Sequence, residues 1–324
     1  MRLLFVTSTR LGDAVLSTGA LACLLERHPG ARVTVVAGPV AAPIFAGLPG
    51  LERIVVLRKK RYGLHWLQLW SRLARYRWGV VCDLRASALA WLLPARRRYV
   101  IGRKDRSEHR VVELGRLLGE ETPPPAPRLW PVRASEELAE RLLPPGDGPL
   151  LAIGPSANWS GKVWPAERFA ELALALTGPE GPLPGAPVVV IAAEHERLQA
   201  NPLLAALPRE RRIDLVGKAP LPVLGAVLAR CRLYVGNDSG LMHLAAAAGC
   251  PTLGLFGPSP EARYAPWGPH AAYVRTPESF EALTRQPGFD FAHRTRCYME
   301  TLEVEPVLAA AQALLARTAN SRRS

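Results

Sequence analysis

Between Tyr234 and Ser259 the chain reads YVGNDSGLMHLAAAAGCPTLGLFGPS. A short apolar run gives way to Asn237, Asp238, Ser239 and Gly240, a helix of small residues follows at once, and a second apolar run ends in Gly-Pro-Ser. Asp238 or Ser239 can cap the helix that begins near Gly240, and capping alone would account for the polar pair. The same residues offer a second chemistry. Free amides at a helix start, at the positive end of its dipole, receive an anion such as a diphosphate. His243 lies four residues after Ser239, on the same helix face one turn deeper, where it can donate to a phosphate oxygen. The small side chains of LAAAAG let backbone and ligand approach closely.

Four other stretches carry candidate chemistry. In GPSANWSGKVWP, Gly154 to Pro165, a strand ends in small and hydroxyl residues before a single lysine, so Ser156 and Lys162 can meet a phosphate. A solvated loop with a surface lysine is the plainer alternative. In AAEHER, Glu194 stands where an apolar run ends and can accept hydrogen bonds from a ribose or sugar diol, or simply favour a helix first turn. In TSTRLGDAVLS, Asp13 is either an N-cap or a carboxylate that acts as general base toward a hydroxyl, and Gly12 allows the backbone a tight turn beside it. The fifth stretch, Arg58 to Arg77, interleaves Lys59, Lys60, Arg61 and further arginines with tryptophan and tyrosine. That mixture suits an anionic membrane surface or an amphipathic helix with its aromatics packed inward. A second basic cluster spans Arg96 to Arg106. GxxxxGK[ST] is absent and no GxGxxG follows a first strand, which leaves classical P-loop and dinucleotide readings weak.

These stretches need a scaffold that presents loops at strand ends. RLLFVTS, ARVTVVAG, RIVVL and WGVVCDL read as strands in the first half, with a helix from Ala14 to about Arg27, one within the basic segment and one around His109 to Leu118. LLAIGPS, PVVVIAA, RIDLVG, RLYVGND and PTLGLFG read as strands in the second half, with a helix opened by Pro165 and a terminal helix from Val304 to Arg317. The final TANSRRS reads as a disordered tail. Alternation in both halves argues for an α/β chain of two Rossmann-like units with parallel sheets. TPPPAPRLWP, too proline-dense for helix or central strand, reads as a semi-rigid connection between residues 1–132 and 133–324. Open parallel sheets bind ligands beyond the carboxyl ends of their strands, and the polar residues named above all follow strands.

The 324 residues suffice for two domains, and 48% hydrophobic with 21% charged residues is a soluble globular composition. No signal peptide is expected, since the apolar run after Arg2 ends at Val6. The five cysteines show no CxxC pair and no histidine spacing, so neither zinc nor a disulfide framework is expected, and the cytoplasm is the expected compartment. A net charge of +13 implies an anionic partner: nucleic acid, a phosphorylated substrate or a membrane surface. Arginine supplied by GC-rich coding would account for the total without any function.

Taken together and in order, these stretches resemble glycosyltransferase family 9, the ADP-heptose:lipopolysaccharide heptosyltransferases. RLLFVTSTRLGDAVLSTGAL is similar to the family's opening strand, GD pair and first helix. WGVVCDLRAS resembles its D-hydrophobe-x-G region, with Arg85-Ala86 where Gln-Gly is common. GPSANWSGKVWPAERFAEL resembles its K-x-WP-x-E block, AAEHE its glutamate motif, and the opening stretch its D-[ST]-G-x-x-H-x-A-A signature, the most specific of the set. The resemblance implies GT-B architecture, two Rossmann-like domains facing a central cleft. Acceptor would bind residues 1–132 and nucleotide sugar residues 133–324, with the terminal helix packing back on the N-terminal domain. It implies Asp13 as general base for inverting attack on the anomeric carbon. Lys162, Ser239, Gly240 and His243, with Ser156, would hold the diphosphate, and Asp238 and Glu194 would position sugar and ribose. Gly12, Asp83, Arg85, Lys59, Lys60 and Arg61 fall on the acceptor side. No metal and no resident cofactor is expected. The expected partners are a nucleotide-sugar donor and an anionic glycolipid acceptor, met peripherally at the cytoplasmic face of the inner membrane. Ser156-Ala157-Asn158-Trp159 stands where heptosyltransferases often carry threonines, so the donor sugar stays open. Two competing classes are a GT-B nucleotide-sugar epimerase or hydrolase, and a nucleic-acid-binding protein suggested only by charge and aromatics.

Overall fold

The computed structural model describes residues 1–58, 61–102, 107–146, 148–291 and 296–319. The chain divides into two compact units, Met1–Val132 and Arg133–Ser324. In the first, β1 (Arg2–Val6), β2 (Arg32–Ala37), β3 (Leu51–Val56), β4 (Trp78–Asp83) and β5 (Ala95–Val100) form one sheet in the order β3-β2-β1-β4-β5. All its pairs are parallel. Leu3 to Val6 are fully buried, as continuous apolar runs must be when a parallel sheet is covered on both faces.

In the second unit, β6 (Leu151–Gly154), β7 (Val188–Val190), β8 (Arg212–Asp214), β9 (Leu233–Asn237), β10 (Thr252–Phe256) and β11 (Ala271–Arg275) run in the order β11-β10-β9-β6-β7-β8, again all parallel. Each sheet starts in its middle and winds outward in both directions. The order therefore reverses between β1 and β4 in the first unit and between β6 and β9 in the second. At such switch points adjacent connections leave toward opposite faces and open a crevice at the carboxyl ends.

The centre of the second sheet depends on two glycines. Gly154 and Gly236 are register partners, and a Cβ at either would collide with the buried Tyr234 hydroxyl. Trp164, fully buried, donates its indole N–H to the Leu302 carbonyl at 2.8 Å and packs edge-on against Phe169.

Several local features depart from the sequence expectations. The first helix is two, Leu11–Leu16 and Thr18–Arg27, broken at Ser17. The Ser17 hydroxyl bonds the Ala14 carbonyl and shares a 2.7 Å hydrogen bond with Thr7, a local bond of the kind that competes with helix continuation. The proline-rich run is a strap on the first unit rather than a spacer. The Arg128 amide donates to Thr18 Oγ1 at 2.9 Å, Trp130 stacks near Phe45, and a Cβ on Gly19 would strike the Pro125 carbonyl. The terminal helix extends over Val304–Ala319 and buries Val307, Ala311 and Leu314 in the second unit's core. Thr318 and Ala319 of the expected tail are helical, and residues 320–324 lie outside the described residues. β11 and the helix Arg133–Leu142 are not among the elements expected from the sequence.

All five cysteines are free, four buried and Cys297 half-buried. Burial pushes the thiols of Cys23, Cys82 and Cys297 above their ordinary range.

Candidate active site

The switch point of the second unit gathers most of the residues singled out in its sequence. The loop after β6 carries Ser156 and Lys162, and the end of β9 carries Asn237 and Asp238. Asn237, wholly buried, ties the two together through both ends of its amide: Oδ1 accepts from the Trp164 amide and Nδ2 donates to the Pro155 carbonyl, each at 3.0 Å. The loop is thereby pinned on both sides of Lys162, whose Nζ lies 3.1 Å from Asp238 Oδ2.

Burial alone would raise the Asp238 pKa. The charges of Lys162 and His243, with hydrogen bonds from Ser259 and Lys162, outweigh it and hold the carboxyl below its ordinary range. Asp238 is thus a fixed anion that draws two cationic or cation-capable side chains to one spot. The helix that follows, Gly240–Ala247, has Ser239 as N-cap in extended backbone, but the Ser239 side chain makes no capping bond. Its Oγ is buried beside the Tyr234 hydroxyl. Ser239 therefore does not meet the capping expectation, and no side-chain bond to the first-turn amides is seen among the described residues. His243 is buried on the same helix. A lysine, a buried histidine and an uncapped helix start within one crevice have the composition that binds a diphosphate.

Two expected donor residues also have protein partners. Ser156, buried, donates to Glu196 Oε2 at 2.8 Å, and the same carboxylate accepts the Ala193 amide. Gln199 brackets Ala157 with two further bonds. Glu196 and Gln199 thus brace the loop after β6, a role with no visible mark in the sequence. Glu194 is exposed and pairs with Arg197, whose guanidinium also holds Asp214 at 3.2 Å and the Val216 carbonyl at 2.6 Å. Gly217, at φ +67°, packs directly against Glu194, and any Cβ there would meet its carboxylate. Asn237 and Ser259 were legible only as parts of GND and GPS.

In the first unit, Asp13 sits in the first turn of Leu11–Leu16, half-buried, and accepts a 3.3 Å bond from Ser8 Oγ. Arg10 occupies the N-cap position, so the N-cap explanation of Asp13 is set aside. Gly12 precedes it, also half-buried. β4 ends beside β1, with the Leu84 amide bonded to the Val6 carbonyl at 2.9 Å. There Asp83 is fully buried and committed to its own turn, accepting from the amides of Arg85 and Ser87 and from Ser87 Oγ at 2.5 to 3.0 Å. Asp83 builds the loop that presents Arg85. The Arg85 guanidinium stacks 5.4 Å from the Trp66 ring centroid, and its Nε is buried without a hydrogen bond. Arg61 is exposed, and Lys59 and Lys60 lie outside the described residues. Among the described residues no group of His, Cys, Asp and Glu is placed to share a metal ion.

Residues 73–287 match the family model of glycosyltransferase family 9 (heptosyltransferase). The chain belongs to glycosyltransferase family 9. Lipopolysaccharide heptosyltransferase 2 of Salmonella typhimurium is 27% identical over 305 residues, covering 80% of this chain and 83% of that protein. Among solved structures, a family 9 glycosyltransferase from Veillonella parvula superposes with a TM-score of 0.81 at 22% identity, over 97% of each chain. The E. coli heptosyltransferase WaaC with ADP gives 0.70 at 19% identity, over 97% of this chain and all of that one. This family 9 chain is a glycosyltransferase with the GT-B class of fold, two Rossmann-like α/β units. The family match and these relatives do not favour the epimerase, hydrolase or nucleic-acid readings.

Proposed function

We propose that this glycosyltransferase moves a heptose from ADP-heptose to a lipopolysaccharide-core acceptor, with inversion at the anomeric carbon. The reading rests on the Lys162–Asp238–His243 constellation beside an uncapped helix start, in a chain whose relatives include heptosyltransferases and a neighbour solved with ADP. Lys162, His243 and the amides at Ser239 and Gly240 hold the diphosphate, and Glu194 meets the ribose or sugar hydroxyls. Asp13 takes the proton of the acceptor hydroxyl as its oxygen attacks the anomeric carbon. The bond from that carbon to the β-phosphate oxygen breaks, and ADP leaves with its charge held by the same lysine and amides. Fixed positive groups aimed at a developing phosphate charge are the largest single source of such catalysis. No resident cofactor enters this scheme, and the acceptor is an anionic glycolipid presented at the cytoplasmic face of the inner membrane.

The test is to incubate the protein with ADP-heptose and a heptose-deficient core acceptor, with and without EDTA, and to assign the new linkage by NMR. Inverted product formed in both conditions is expected. A retained anomeric configuration would overturn the assignment of Asp13, and dependence on added metal would overturn the metal-free scheme.

A further inference from the structure

The chain's charge is concentrated in one place. From Ile54 to Lys104 there are thirteen Lys and Arg and one acid, Asp83, which gives +12 of the whole chain's +13. Since Asp83 is fully buried, the surface contributed by this segment carries no acidic group. Arginine scattered by coding bias would not leave the remaining residues nearly neutral.

The same segment exposes large apolar side chains. The helix Leu64–Leu73 buries Leu69 and Leu73 and turns Leu64 and Leu67 outward, 51% and 63% exposed. Trp70 joins it to the short helix Leu89–Leu92 through a 3.3 Å bond from its indole N–H to the Leu92 carbonyl. That second helix leaves Trp91 and Leu92 68% and 64% exposed. Tyr62, at φ +54° just before the longer helix, is almost wholly exposed. Exposed Arg61 precedes this helix and exposed Arg72 and Arg75 close it, and Arg61 and Arg72 pair with no acid among the described residues. Single exposed apolar residues are ordinary, but five on two bonded helices with Tyr62 beside them, in a segment whose one acid is buried, form a patch with a use.

We propose that the surface formed by Tyr62, Leu64, Leu67, Trp70, Trp91 and Leu92 is the docking face for an anionic lipid bilayer, with the surrounding arginines engaging its headgroups. Leucine and tryptophan supply apolar insertion to a shallow depth, and the arginines supply attraction that is felt within a Debye length of the surface. No helix among the described residues is long and apolar enough to cross a membrane, so the contact is peripheral. A nucleic acid would answer the charge but not the leucines, and a second copy of the chain would bring like charge against like. The inference deepens the proposed function, in which the acceptor is lipid-anchored, yet it concerns lipid alone.

The test uses the full chain and flotation with vesicles of phosphatidylcholine, with or without phosphatidylglycerol and no glycolipid. Binding to the anionic vesicles, weakened by salt and accompanied by a blue shift of tryptophan emission, is expected. Leu67→Gln with Trp91→Gln should reduce it roughly tenfold or more, while the thermal shift induced by ADP stays that of the wild type. Unchanged vesicle binding by the double variant would overturn the proposal. So would a wild-type dimer that the double variant abolishes, or binding to DNA in preference to lipid. A chain that binds vesicles but shows no ADP shift would instead refute the donor reading alone.

Discussion

Lys162 Nζ and Asp238 Oδ2 stand 3.1 Å apart, with side chains only 17% and 11% exposed. The pair spans the switch point of the second sheet, linking the loop after β6 to the end of β9. Asp238 engages one of the three donors of the ammonium group, so the same lysine can serve a phosphate oxygen without leaving its partner.

Lys162→Ala should therefore have two separable effects. Loss of the cation leaves a buried carboxylate unpaired, at a cost of about 3 kcal/mol in urea unfolding. ADP affinity, read by calorimetry, should fall by more than tenfold. A variant with both Lys162→Met and Asp238→Asn should regain much of the stability and none of the affinity.

The same pair sets an acid limit. Asp238 is held below its ordinary range in the folded chain, so as pH falls the unfolded chain takes up the proton first. Its stabilisation is complete above about pH 5 and is lost as pH drops through about 4 toward the folded value. The difference in Tm between wild type and Asp238→Asn should shrink across that window. A difference that does not change with pH would contradict the linkage.

Asp13→Asn removes a base while keeping the shape of the side chain and its place beside Ser8. Transfer should fall by about two to four orders of magnitude, with the ADP-induced thermal shift intact. Near-normal turnover would return Asp13 to a helix-stabilising role in the first turn.

Asn237 and Gly236 test the scaffold rather than the chemistry. Asn237→Leu forfeits both bonds that pin the loop and strands the Pro155 carbonyl and the Trp164 amide, a loss of about 2 to 4 kcal/mol. Gly236→Ala drives a methyl group into the Tyr234 hydroxyl and should destabilise by about 1 to 3 kcal/mol. Pairing it with Tyr234→Phe should restore part of that loss, since the ring then ends in hydrogen.

Strand positions were legible because buried parallel strands leave unbroken apolar runs such as LLFV and LYV. The loops that follow them could be read for the same reason, as polar residues placed at strand ends. Partnerships between distant loops could not. The hydroxyl of Ser156 bonds Glu196, forty positions away, a partnership no local pattern encodes. Asp83 had the look of a site residue and is a turn builder, because its three acceptor bonds form only once Arg85 and Ser87 fold back over it. The proline run was read as a spacer from composition, and its carbonyls and amides turn out to be fitted against glycines and hydroxyls of the first unit.

The buried cysteines provide a native stopwatch. Cys23 and Cys82 lie in the first unit and Cys231 and Cys250 in the second, none of them accessible to a reagent while its own core is closed. A buried thiol reacts only when its surroundings open. Mass spectrometry of alkylated peptides would thus time the opening of each half separately in the unmodified chain. Donor analogues, if seated as argued, should slow the clock at Cys231 and Cys250.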